Sequence, residues 1–200
     1  MITKQELQTF GQQKGLTLGQ TEKNYLHILT LFAISSTAPE QLIFKGGTSL
    51  MIVHGLPRFS EDLDFTATEH ANIKNLIENI RRFLEQMNIT VEITHDHSTP
   101  VSESYTLRYQ GPLYTGTRQT TSKVELDIST REHVVNKTET SRIIHHYPDS
   151  PSFHIQTMDC EEMLAEKVRA IMTRNKARDI YDVEYLLAKG IHLNMPLLRK

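Results

Sequence analysis

The feature that most constrains this chain is a glycine pair followed by paired aspartates. It runs Phe44-Lys45-Gly46-Gly47-Thr48-Ser49-Leu50 and resumes as Arg58-Phe59-Ser60-Glu61-Asp62-Leu63-Asp64-Phe65. Gln41 to Lys45 is short, apolar in its middle and stopped by Gly46-Gly47, so it reads as a strand ending in a glycine turn. Thr48 is placed to cap a helix running to about His54, which Gly55 and Pro57 end. A second strand starts at Asp62. Alternate residues of a strand share a face, so Asp62 and Asp64 project together while Leu63 and Phe65 turn inward. Strand, turn, helix, strand in this order brings glycines and aspartates to one end of a small sheet.

Two neighbouring carboxylates repel unless a cation joins them. Hard oxygens of this kind suit Mg²⁺, which takes one or two carboxylates and completes its shell with substrate phosphates. A third carboxylate is within reach of the pattern. In the strand Lys123–Ile128, Val124, Leu126 and Ile128 alternate with Lys123, Glu125 and Asp127, so one face is core and the other acidic. Glu125 and Asp127 share that face, and Asp127 is the preferred ligand.

The remaining elements follow from periodicity. Helices are expected from Glu22 to about Ile34 behind a Thr21 cap, and from Asn72 to Met87 with Ile73, Leu76, Ile77, Ile80 and Leu84 on one side. Strands are expected at Val91–Thr94 and Tyr105–Tyr109, with a Gly/Thr-rich loop at Gly111–Thr121. Glu132 to Ser152 is polar and reads as a connector. Asp159 with Glu162 resembles a capping box opening a helix along Leu164, Val168, Ile171 and Met172, and a second helix runs from Ala177 to Lys189. These divide the chain into a core with N-terminal helices, 1–150, and a C-terminal helical hairpin packed on it, 151–200.

Composition excludes several classes. The 200 residues are 38% hydrophobic, enough for one large domain or two lobes sharing a core. Lys and Arg number 22 against 24 Asp and Glu, a net charge of −2 that argues against non-specific coating of nucleic acid. The single cysteine, Cys160, rules out an intramolecular disulfide framework and Cys-rich zinc sites, and points to a reducing compartment. No apolar signal core opens the chain and no stretch is long enough to span a bilayer, so a cytoplasmic, membrane-free location is expected. The pairs His95/His97 and His145/His146 lack zinc-like companions and read as solvated.

Taken together, Lys45-Gly46-Gly47-Thr48-Ser49-Leu50 and the Arg58 to Phe65 run resemble the AbiEii/AbiGii toxin family of the polymerase-β-like nucleotidyltransferase superfamily. Ala165-Glu166-Lys167, Arg174 and Ala177-Arg178-Asp179-Ile180-Tyr181-Asp182 are similar to that family's C-terminal motifs. The resemblance implies an α+β fold, with a small mixed sheet flanked by helices and a C-terminal helical lobe. It implies transfer of NMP from an NTP, with Asp62, Asp64 and Asp127 on Mg²⁺ or Mn²⁺, Lys167 on the phosphates, and Asp179 at the catalytic site. Gly46, Gly47, Thr48 and Ser49 would cradle the nucleotide at a helix N-terminus.

Arg58 and Ser60 either shape the loop or touch substrate; Arg178 and Asp182, spaced i, i+4, are either a surface ion pair or site residues. The family further implies a toxin of a bacterial toxin–antitoxin, phage-defence type system, encoded with its antitoxin, with the tRNA 3′ end as acceptor and no DNA partner. Lys167, Arg169, Arg174, Lys176 and Arg178 supply a basic cluster for such an acceptor. A protein or small-molecule acceptor, or a degenerate NTP-binding regulator, are the alternatives. Many relatives continue with further helices where this chain ends at Lys200, which reads as a compact member or a truncated product.

Overall fold

The computed structural model describes residues 1–131 and 134–199. Helices α1 (Lys4–Lys14) and α2 (Leu18–Thr37) lead into β1 (Leu42–Lys45), α3 (Gly46–Ile52) and β2 (Asp62–Ala67). After α4 (Ile73–Gln86) come β3 (Val91–Thr99), β4 (Ser102–Tyr109) and β5 (Ser122–Ser129). Strands β6 (Glu139–Ile143) and β7 (Phe153–Thr157) precede α5 (Cys160–Thr173), α6 (Ala177–Ala188) and the short α7 (Met195–Leu198).

All of these strands form one mixed sheet in the order β3-β4-β5-β2-β1-β7-β6, the α+β architecture expected. The pairs β2·β5 and β1·β7 are parallel and the others antiparallel. Because β7 lies beside β1, the sheet runs across residue 150. The pleat then sorts the residues. Leu42, Phe44, Leu63, Phe65, Val124, Leu126 and Ile128 all point to one face, where they join Leu26, Leu29, Leu76, Ile80 and Leu84 from α2 and α4 in the main core. Ile43 points the other way, into a smaller cluster with Leu50, Leu56, Met163, Leu164 and Leu186 from α3, its following loop, α5 and α6. Lys45, Asp62, Asp64, Glu125 and Asp127 share that second face.

Several boundaries differ from the expectation. Helix α2 begins at Leu18 because Thr17 and Gln20 form a full capping box, and Thr21 instead returns its hydroxyl to the Thr17 carbonyl at 2.8 Å. Helix α3 starts directly at Gly46, and Lys45 occupies the cap position without a capping side chain. The expected connector contains β6, whose only buried residue is Ile143, so it carries no apolar alternation to betray it. Glu132 and His133 of that connector lie outside the described residues, as does Lys200. Asp159 caps α5 through the amides of Glu161 and Glu162, at 3.0 and 3.2 Å. Glu162 does not reach back to it; buried, it accepts from the Val135 and Asn136 amides at 3.0 Å and fastens that loop to the helix.

Candidate active site

The site is built where β1, β2 and β5 meet under α5. Lys45 lies directly across from Asp64 on antiparallel β1, and Asp127 is level with Asp64 on parallel β5. Asp62 is one pleat away, opposite Glu125, which is exposed. Asp64 is therefore flanked in the sheet by one cation and one carboxylate. Burial, with the charges of Asp127 and Asp62, outweighs Lys167 and Lys45 and raises the Asp64 carboxyl to about 6. The Ser104 hydroxyl donates to one oxygen of Asp127.

The glycines are required by their neighbours. Gly46 has φ +75°, and a Cβ there would stand 2.2 Å from an Asp64 carboxylate oxygen. A Cβ on Gly47 would come within 2.7 Å of Ser60 Oγ and 2.8 Å of Arg58 Nη2. Thr48 is fully buried and donates its hydroxyl to the Asp62 carbonyl at 2.5 Å, tying the turn to the start of β2. Ser49 is equally buried, with no partner for its hydroxyl among the described residues. Gly46 thus lines the open cleft, whereas the two hydroxyls beyond it lie inside the fold.

From the helical side, Lys167 extends toward the same point. Its ammonium lies 2.8 Å from Asp182 and 3.3 Å from Asp179, both aspartates fully buried. Arg174 grips Asp179 through two bonds, at 2.9 and 3.0 Å, and Arg58 grips Asp182 through two, at 2.7 and 2.6 Å. Burial pushes the Asp179 carboxyl up, but the Arg174 hydrogen bonds and the Lys167 and Arg174 charges hold it below the usual range. Asp179 and Asp182 therefore sit behind the cations and orient them. Arg178 is exposed and does not pair with Asp182, whose oxygens Arg58 and Lys167 occupy.

A cleft of about 550 Å³ opens between these elements, lined by Lys45, Gly46, Asp64, Arg131, Glu166, Lys167 and Arg174 among others. Lys45 and Glu166 stand within the quoted motifs without a role assigned from sequence, and Arg131 lies outside them. Lys45 and Arg131 could have been given one: Lys45 precedes the glycine turn, and Arg131 follows Asp127 by four residues on the same strand exit. Glu166 binds the Lys45 ammonium at 2.8 Å. A roomier groove of about 720 Å³ between the start of α4 and the β3–β4 hairpin contains no comparable set of cations.

The donor set suits a hard divalent cation. Asp64 stands between Asp127 and Lys45 in the sheet, with Asp62 one pleat away, so carboxylate oxygens are available from two adjacent strands. Among the described residues no three Asp, Glu, His or Cys side chains gather as a ready-made cage.

The family model for the nucleotidyl transferase AbiEii toxin of type IV toxin–antitoxin systems matches residues 29–200. The chain belongs to this family. AbiEii proteins are nucleotidyltransferase toxins, and membership implies an antitoxin partner. No curated protein matches the chain. Among solved structures, JHP933 from Helicobacter pylori is 24% identical, with a TM-score of 0.63 over 89% of this chain and 70% of its own. A candidate nucleotidyltransferase from H. pylori is also 24% identical, with a TM-score of 0.66 over 91% of this chain and 74% of its own. Both share the fold. No helix among the described residues is long and apolar enough to cross a membrane.

Proposed function

We propose that this AbiEii protein transfers NMP from an NTP to the 3′ end of tRNA, releasing pyrophosphate, in the cytoplasm of a cell that also makes its antitoxin. The observation that carries the reading is the cleft itself. A half-buried Asp64 faces Lys45, Arg131, Lys167 and Arg174 beside a helix start that no side chain caps.

Each group has a part in such chemistry. Asp62, Asp64 and Asp127 would hold Mg²⁺ or Mn²⁺, which when bound supplies Lewis-acid polarisation of the phosphates. Lys167 and Arg174, steadied by Asp179 and Asp182, offset phosphate charge, and Lys45 and Arg131 line the other wall. Gly46 leaves room for the nucleotide to approach the backbone. Asp127, level with Asp64 on β5, has one oxygen bonded to Ser104 and would use the other on the metal. The cations at the mouth of the cleft offer contacts to an RNA backbone.

Incubation with Mg²⁺, each of the four α-labelled NTPs and total tRNA tests the proposal. Label is expected in tRNA, at its 3′ end. Label in protein or a small molecule instead would replace the acceptor, and no transfer to anything would favour an NTP-binding regulator.

A further inference from the structure

We infer that Arg58 is a positioning residue that sets the Lys167 ammonium against Asp64, by clamping Asp182 between the two cations. The inference rests on the transferase reading and names a residue outside the cleft on which that reading depends. Arg58 belongs to the loop before β2 and Asp182 to α6, and 124 positions separate them in the chain. Their contact is a planar fork: Nε to Oδ1 at 2.7 Å and Nη2 to Oδ2 at 2.6 Å. Only a guanidinium makes that pair of parallel bonds, and it fixes the carboxylate's plane as well as its place.

Arg58 is itself held on both sides. Its Nη1 donates to the Phe59 carbonyl at 3.2 Å, and its Nη2 lies against Gly47, where a Cβ would come within 2.8 Å. The guanidinium is thus locked to the glycine turn. Asp182, fully buried, then carries that position to Lys167 Nζ at 2.8 Å. Lys167 lines the cleft and Arg58 does not. The chain of contacts runs from glycine turn to arginine, aspartate and lysine, and it fixes the helical hairpin relative to the sheet that bears Asp64. This accounts for an arginine and an aspartate whose side chains face each other rather than the substrate.

The test compares Arg58→Gln, Arg58→Lys, Lys167→Ala and the double variant Arg58→Gln/Lys167→Ala for NTP-dependent transfer, with thermal unfolding as a control for folding. Arg58→Gln is expected to lower kcat/KM by about 30- to 100-fold, the usual result of misplacing a catalytic group. In the Lys167→Ala background the same substitution is expected to cost less than about 3-fold more, since its effect passes through the lysine. Arg58→Lys, which keeps charge but loses the fork, is expected to fold and to recover only a minor part of the activity. Losses that multiply in the double variant, or full activity in Arg58→Lys, would overturn the assignment.

A second readout does not need transfer. Lys167 and Lys45 are acylated with an amine-reactive ester, and the rates are mapped by peptide mass spectrometry. Lys167 is expected to react several-fold faster in folded Arg58→Gln and Arg58→Lys than in wild type, while Lys45 does not change. An unchanged Lys167 rate overturns the clamp. If the wild-type protein transfers nothing, the transferase reading falls, and the acylation rates still decide whether Arg58 positions Lys167.

Discussion

The two faces of the central sheet are made by the same strands and do opposite things. On one face Leu63, Phe65, Leu126 and Ile128 are completely buried against α2 and α4. On the other, the intervening residues are Asp62, Asp64 and Asp127, partly covered by α3, α5 and α6. Neighbours such as Asp64 and Phe65 are thus one residue apart in sequence and on opposite sides of the sheet. The apolar face supplies the favourable transfer free energy of folding, at roughly 25 cal/mol per Å² buried. That surplus allows the other face to keep a carboxylate in surroundings that disfavour its charge.

Asp64→Asn is expected to break this contrast most sharply. Transfer should fall by about 1,000-fold or more, because a cation ligand is lost. The metal-free protein should nonetheless become more stable near neutral pH, by ~2 kcal/mol, because a buried carboxyl raised to about 6 no longer has to ionise. Urea unfolding read beside the transfer assay checks both halves. A less stable Asp64→Asn would show that the aspartate contributes to the fold and not only to the site.

The converse change is Leu126→Ala, one residue from Asp127 but on the apolar face. Deleting a fully buried leucine there should cost about 2 to 5 kcal/mol, with kcat of the surviving folded fraction within about threefold of wild type. Urea midpoints and transfer at saturating NTP measure the two effects. Loss of chemistry out of proportion to stability would mean that the faces are mechanically coupled through β5.

The apolar face was the legible one. Alternation in Lys123–Ile128 and the periodic leucines and isoleucines of α4 report burial directly, and the Asp-x-Asp strand declares its two sides. The other face was legible only in part. Asp62, Asp64, Asp127 and Lys167 stand out as residue types in a familiar order, but the partners of Asp179 and Asp182 come from Arg174, Lys167 and the distant Arg58, and no local pattern encodes that pairing. Thr48 and Ser49 resembled phosphate donors because hydroxyls often follow such a turn. Here α3 begins at Gly46, so both hydroxyls rotate into the fold. Strand β6 escaped for a simpler reason, since an edge strand with one buried residue has no hydrophobic period.

Gly46→Ala tests how closely the turn and the acidic face are fitted. The left-handed φ of +75° disfavours any side chain by about 1 to 2 kcal/mol, and the added methyl would displace the Asp64 carboxylate. A loss of unfolding free energy of that size is expected, with transfer reduced by about 10- to 100-fold. Gly15 has a similar φ of +65° but open space around it, so Gly15→Ala should show only the stability part. Equal transfer in the two variants would remove the close fit from the account.

The smallest effect is a difference in sign between two pH slopes, one from each side of the sheet. His27 on α2 is fully buried, and its Nε2 bonds the Glu61 carbonyl at 2.8 Å, just ahead of Asp62. Burial lowers its value from 6.5 to about 3. The unfolded chain therefore takes up the proton first, so His27 removes stability as pH falls from 6.5 toward 3. Asp64 is raised from 3.8 to about 6, so here the folded chain takes up the proton first. Its contribution is a penalty present above 6 that is relieved as pH falls toward 3.8. Between these limits the two oppose each other, and the wild-type dependence should be shallow. His27→Gln, which keeps a side-chain donor for Glu61, should then grow more stable between about pH 7 and about pH 5, while Asp64→Asn should lose stability over the same descent. Urea midpoints at the two pH values separate them. If both variants move in the same direction, the opposed titrations are not what links these two faces.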